Sequence, residues 1–102
     1  METGDGGPSI LCSGVFDGLH AGHVHYLREA ARLAPLQSLM VAVACDDYVR
    51  RVKGREPYWP DADRVEVIHA LRCTDYVRVH NADGVADTIR AGMPSYLVKG
   101  GD

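Results

Sequence analysis

Residues 39–44 read Leu-Met-Val-Ala-Val-Ala, six apolar residues without a break. The run is too short to cross a membrane and too continuous for a half-exposed strand, which would alternate. It reads as a parallel strand covered on both faces. Such a strand needs helices above and below it, and the flanking sequence supplies them. Upstream, from Gly22 to Ala34, Val24, Leu27, Ala31 and Ala34 recur at helical spacing until Pro35 stops the pattern. Downstream, Asp46-Asp47 is placed to cap a short helix to about Val52, ahead of the Gly- and Pro-marked loop Gly54 to Pro60.

The rest of the chain repeats this alternation. Ser9 to Ser13 is an apolar run closed by Gly14, a strand entering a loop. Asp61 is expected to cap a helix with Val67, Ile68 and Leu71 on one face, ended by Cys73-Thr74. Tyr76 to His80 alternates, with Val77 and Val79 on one side and Tyr76, Arg78 and His80 on the other, as an edge strand does. A weaker helix from about Gly84 to Ala91 turns Val85 and Ile89 inward, and Pro94 leads into the strand Tyr96-Leu97-Val98. The order implies an α/β fold, a doubly wound parallel sheet with right-handed crossovers. Ligands then sit at the carboxyl ends of the strands, which directs attention to Gly14–His23, Asp46 and Lys99–Asp102.

A chain of 102 residues, 46% hydrophobic and 25% charged, has the composition of one globular domain, expected over 9–102 after a flexible tail at 1–8. At this size only about 60–70% of the unfolded surface is buried on folding, which favours a homodimer. A net charge of −3 opposes the broad basic surface of a nucleic-acid binder, so none is expected as partner. No apolar stretch reaches the roughly 18 residues of a membrane span, and Met1 to Pro8 does not resemble a signal peptide; no membrane partner and a cytoplasmic location are expected. Cys12, Cys45 and Cys73 suit neither a disulfide framework nor a zinc site and are read as buried thiols.

The chemistry concentrates in Gly14-Val15-Phe16-Asp17-Gly18-Leu19-His20-Ala21-Gly22-His23, where a strand hands over to a helix. A helix start offers free N–H groups and partial positive charge to a phosphate, and two imidazoles add donors. Gly22 allows backbone and ligand to approach closely. His25 lies roughly 200° round the helix from His23, so the three histidines do not make a metal triad and no metal-ligating residue is assigned. Arg64 leads the apolar stripe of its helix; it is read as a phosphate contact, with a snorkelling or ion-paired arginine as the alternative. Asp17 is either a metal or substrate ligand or the aspartate that shapes the turn before Gly18, and Asp46 either a ligand-edge residue or a helix cap.

The segment Phe16 to His23 resembles the HxGH signature of the cytidylyltransferase-like nucleotidyltransferase superfamily. Lys53-Gly54 with Pro57, Pro60 and Arg64, then Ala70 to Val77, and Leu97-Val98-Lys99-Gly100-Gly101-Asp102 are similar to the adenylyltransferase domain of ADP-heptose synthases. The resemblance implies a Rossmann-like sheet of the nucleotidyltransferase type. It also implies transfer of AMP, or less favourably CMP, from ATP or CTP to a phosphorylated small-molecule acceptor, foremost a sugar phosphate such as heptose 1-phosphate. The acceptor oxygen attacks the α-phosphorus, pyrophosphate leaves, and Mg²⁺ accompanies the triphosphate. On that reading His20, His23, Lys53 and Arg64 are catalytic. The nucleotide is bound by Val15, Phe16, Asp17, His20, Gly22, His23, Lys99, Gly100 and Asp102. Asp17, Asp46, Tyr58 and Trp59 meet the acceptor, and the two aromatics are alternatively a dimer contact.

Three departures shape the expectation. The family continues past Lys-Gly-Gly-Asp into another strand and a Ser/Thr-rich helix start, so the chain is expected to be truncated relative to it and to lack the last strand. Ala44-Cys45 and Glu56 stand where the heptose branch has Asn-Ser and an arginine. The Lys53-Gly54-Arg55-x-Pro57 spacing is also similar to archaeal-type FAD synthases, and the general pattern to glycerol-3-phosphate and phosphoethanolamine cytidylyltransferases. A nucleotide-binding module without turnover, or a fragment completed by a second chain, are the competing readings.

Overall fold

The computed structural model describes residues 10–33, 38–81, 83–92, 94 and 96–99. Among them, four strands alternate with helices: β1 (Ile10–Gly14), α1 (Ala21–Arg32), β2 (Leu39–Ala44), α2 (Asp46–Lys53), α3 (Asp61–His69), β3 (Tyr76–His80), α4 (Ala86–Gly92) and β4 (Tyr96–Lys99). Every pairing is parallel and the order is β3-β2-β1-β4. The chain therefore builds outward from β1 to β3 on one side and returns to place β4 on the other. Strand order reverses at β1, which makes the carboxyl ends of β1 and β4 the ligand crevice of such a sheet. This is a Rossmann-like α/β fold. The tail at 1–8 lies outside the described residues.

All six residues of β2 are buried, as the unbroken apolar run predicts. Leu39, Val41 and Val43 join Ile10, Cys12, Phe16, Leu27, Ala30 and Ile68 in the main core, covered by α1 and α3. On the opposite face Leu11, Met40 and Ala42 pack under Val85 and Ile89, which places α4 there, while Ala44 and Val15 meet Val49 of α2. Asp75 fixes the register at the sheet's lower end: its carboxylate accepts from the Leu39 N–H at 2.8 Å, and its own N–H donates to the Leu39 carbonyl at 2.9 Å.

Several local expectations change once tertiary contacts enter. Cys45, not Asp46-Asp47, is the N-cap of α2, its Sγ accepting from the Tyr48 N–H at 3.4 Å. Pro60, not Asp61, is the N-cap of α3. Of the three thiols, Cys12 is buried while Cys45 and Cys73 are partly exposed. β3 is an outer strand, yet His80, expected outward, is 4% exposed, and Val79, expected inward, is 43% exposed. Tyr48 of α2 explains the exchange, since its ring packs edge-on against His80 at 4.7 Å. In α3, Ile68 is fully buried beside a 49% exposed Val67, because the buried stripe runs through Arg64 and Ile68 at i, i+4. Among the described residues no helix is long and apolar enough to cross a membrane.

These two neighbours test the face assignment. Ile68→Ala is expected to cost about 2–5 kcal/mol of stability, and Val67→Ala about 1 kcal/mol or less, read as urea midpoints. Equal losses would contradict the observed rotation of α3.

Candidate active site

At the carboxyl end of β1 the chain makes a tight reversal into α1. Phe16 sits at φ 54°, a left-handed conformation uncommon for a bulky side chain and characteristic of constrained sites. Its ring folds back over Gly14, where a Cβ would lie 2.9 Å from the ring, so a larger residue there would displace the ring. The ring then stacks on Tyr26 at 6.4 Å and meets His23 edge-on at 5.7 Å, which fixes the loop against α1.

The start of α1 is capped by its own histidines. Nδ1 of His20 accepts from the Gly22 N–H at 2.9 Å, and Nδ1 of His23 accepts from the His20 N–H at 3.1 Å, a reciprocal capping box. The rings lie 4.1 Å apart. An Nδ1 that accepts carries no proton, so in the neutral ring the hydrogen is on Nε2 and that atom is a donor. Gly22 is required because a Cβ there would lie 2.7 Å from the His20 ring. The close approach foreseen at Gly22 is thus first of all to this imidazole.

Asp17 lines the cleft, but its carboxylate is engaged within the chain. Its side chain is only 3% exposed, and its oxygens accept from the backbone N–H groups of Tyr58 at 2.7 Å and Trp59 at 3.0 Å and from Arg55 Nη1 at 3.3 Å. Burial pushes the carboxyl up, but those N–H groups and the Arg55 and Arg64 charges outweigh it and hold it below the ordinary 3.8. Asp17 therefore fastens the β1–α1 loop to the 55–59 segment.

Arg64, expected at a phosphate, has its guanidinium engaged by partners within the chain. It is 2% exposed, with Nε donating to the Trp59 carbonyl at 2.9 Å and Nη1 to the carbonyls of Val15 at 2.9 Å and Ala44 at 2.6 Å. Nη2 donates to Asp46 Oδ1 at 2.8 Å. Asp46 is in turn bound to α3: its Oδ1 accepts from the Asp61 N–H at 2.8 Å while Asp61 Oδ2 accepts from the Asp46 N–H at 3.0 Å. Each aspartate serves the other's helix start. Arg64, Asp46 and Asp61 thus form one hydrogen-bonded clamp, with Arg64 buried and the Asp46 side chain 26% exposed.

A cleft of about 390 Å³ opens above it, lined by Val15, Asp17, Gly18, His20, Gly22, His23, Tyr26 and Arg55. Sequence reasoning passed over Arg55 and Tyr26. Arg55 follows directly on Lys53-Gly54 and was overshadowed by that lysine. Tyr26 lies one turn beyond His23 and donates from its hydroxyl to the Val98 carbonyl at 3.0 Å, tying α1 to β4. Burial pushes the Cys12 thiol beside it up to about 11, leaving that sulfur a protonated core group. Lys53 ends α2 and is exposed. Lys99 closes β4 with its backbone registered to Ser13; Gly100 and Asp102 lie outside the described residues. Trp59 lines a second cavity of about 500 Å³ with Phe16, Leu19, Val67 and the carboxylate-bearing Asp63 and Glu66. That cavity is largely apolar, and the guanidinium that also lines it, Arg64, is taken up by Asp46 and three carbonyls, whereas the cleft brings two imidazoles and the Arg55 guanidinium together and suits a polyphosphate better.

Two stability measurements separate these roles. Arg64→Ala is expected to cost about 3 kcal/mol or more, because a buried pair and three carbonyls lose their partner. A merely surface-bound arginine would cost under about 1 kcal/mol. For Asp17, a lowered folded pKa means the stabilisation is fully present above the unfolded value of 3.8 and is lost as pH falls through the folded one. Asp17→Asn is therefore expected to cost about 1–3 kcal/mol at pH 7, with the gap to the native chain narrowing as pH drops below 3.8. A pH-independent gap would contradict this.

Comparison with known proteins agrees with the geometry. The sequence model of the cytidylyltransferase-like family matches residues 11–102. The chain is 45% identical over 94 residues to the bifunctional protein HldE of Coxiella burnetii, covering 91% of this chain and 19% of that protein. It is 39% identical over 103 residues to the HldE protein of Syntrophotalea carbinolica, covering 100% of this chain and 21% of that one. The chain thus spans about a fifth of the length of these relatives. A crystal structure of the lipopolysaccharide core biosynthesis protein from Thermoplasma volcanium superposes with a TM-score of 0.80 at 30% identity, over 90% of this chain and 73% of that one. With a capped double-histidine helix start at the switch point of a parallel sheet, and matches over nearly its whole length, this chain belongs to the cytidylyltransferase-like family of nucleotidyltransferases.

Proposed function

We propose that the chain is the nucleotide-handling part of an adenylyltransferase that moves AMP from ATP to a sugar phosphate, with heptose 1-phosphate the first candidate. The observation that carries this reading is the capping box of His20 and His23 at the mouth of the cleft. Because each Nδ1 is engaged by a backbone N–H, each ring meets a phosphate through an Nε2 donor held in fixed orientation. The likeness to HldE proteins and to a lipopolysaccharide core biosynthesis protein supports a sugar phosphate over glycerol phosphate or flavin mononucleotide as acceptor.

The reaction is a displacement at phosphorus. An acceptor phosphate oxygen forms a bond to the ATP α-phosphorus as the bond to the bridging oxygen breaks, and pyrophosphate takes the electron pair. Negative charge spreads over the non-bridging oxygens in the transition state, and preorganised N–H donors at a helix N-terminus are worth most there. Among the described residues no three His, Cys, Asp or Glu side chains converge as a metal cage requires. Mg²⁺ would enter with the triphosphate, as its counter-ion.

Pyrophosphate release from ATP or CTP, with and without a sugar 1-phosphate, tests the proposal. ATP is expected to be preferred. His20→Asn keeps an acceptor for the helix cap but deletes the Nε2 donor, so it should lower kcat/KM by about 100-fold with little change in stability. Nucleotide binding without turnover would reduce the chain to a binding module. Failure to bind either nucleotide would sink the reading.

A further inference from the structure

The loop that faces the cleft carries two opposite charges side by side, Arg55 and Glu56. The structure shows where both charges go. Glu56 is turned away to α2, its two oxygens accepting from Arg50 Nε at 2.9 and 3.0 Å, while Arg50 also pairs with Asp47. The preceding residue, Arg55, lines the cleft with His20 and His23.

The Arg55 guanidinium is held on one edge and on one face. Nη1 donates to Asp17 Oδ2 at 3.3 Å and to the Glu56 carbonyl at 3.0 Å, which uses both of its hydrogens. The guanidinium carbon lies 4.6 Å from the centroid of the Tyr58 ring, a cation–π contact with a residue that is itself 74% exposed. The opposite edge, Nε–H with Nη2–H, has no recorded partner among the described residues. Those two parallel donors match the oxygens of a phosphate in bidentate fashion, which a lysine cannot reproduce.

We propose that Arg55 binds a phosphoryl oxyanion in the cleft through its Nε/Nη2 edge, oriented for that task by Asp17 and Tyr58. The proposal rests on the nucleotidyl-transfer reading of the cleft. The oxyanion belongs either to the triphosphate or to the acceptor, and the two sources are separable. It differs from the role expected for Lys53, since here the binding edge is planar and fixed by three contacts rather than carried on a flexible stem.

Calorimetric titration of the full chain with inorganic pyrophosphate and, separately, with a hexose 1-phosphate tests this, below the melting range of every variant. Arg55→Gln is expected to weaken at least one anion about tenfold, the loss of a charge-assisted bidentate contact. Arg55→Lys should recover only part of that loss, because it keeps the charge but not the paired donors. A loss confined to pyrophosphate assigns Arg55 to the nucleotide, and a loss confined to the hexose phosphate assigns it to the acceptor. Unchanged binding of both anions by Arg55→Gln would overturn the proposal while leaving the cleft as the phosphate site. Native protein that binds neither anion would overturn both readings. Arg55-dependent anion binding without any nucleotide transfer would remove the enzymatic reading and keep this one.

Discussion

One guanidinium organises the ligand edge of the sheet. Parallel strands end in carbonyl groups, and a parallel sheet gathers several such ends on one side without partners. Arg64 meets the carbonyls of Val15, Ala44 and Trp59 and the Asp46 carboxylate at once. A buried cation is tolerated only when its donors find partners, and here four of the five are taken by the carbonyls of Val15, Ala44 and Trp59 and by the Asp46 carboxylate. Take away that charge and the exit of β1, the exit of β2 and the approach to α3 lose their common partner.

The functional surface is built on this clamp in two layers. Beneath lie Arg64, Asp46 and Asp61, closed on one another. Above lie the imidazoles of His20 and His23, the Phe16 turn and Arg55. Tyr26 joins the upper layer to β4 through the Val98 carbonyl, so helix, loop and strand meet along the cleft. Burial separates the two arginines: Arg64 is enclosed by partners supplied within the chain, whereas Arg55 is partly exposed and lines the cleft.

How much of this the sequence disclosed depends on the range of the interaction. β2 was legible to the residue because a continuous apolar run is a local signal; the bounds of β3 were legible too, but not its buried face, because Tyr48 of α2 covers His80, and the β1–α1 loop stood out because its glycines and histidines are adjacent. The helix starts were misread because Asp46 and Asp61 satisfy each other across fifteen positions, leaving Cys45 and Pro60 as the caps. Arg64 was correctly placed on the buried stripe, but nothing in its spacing reveals three distant carbonyls. Asp17 could be read as a ligand or as a turn-shaping aspartate, since nothing local in the sequence shows that its carboxylate is enclosed by the 55–59 segment. Arg55 was overlooked beside Lys53 because its orientation is set by Asp17 and Tyr58, from two different segments.

The Asp17 fastening has a thermodynamic consequence for whatever binds in the cleft. With the 55–59 segment anchored to the β1 loop by two backbone N–H groups, the ordering of that wall is completed when the chain folds. A ligand then gains its contacts without first immobilising a loop, which is the usual entropic cost of closing a site. Affinity is raised by preorganisation rather than by added contacts. Changes at this single carboxylate therefore reach binding through the unliganded protein, by letting the wall move before a ligand arrives.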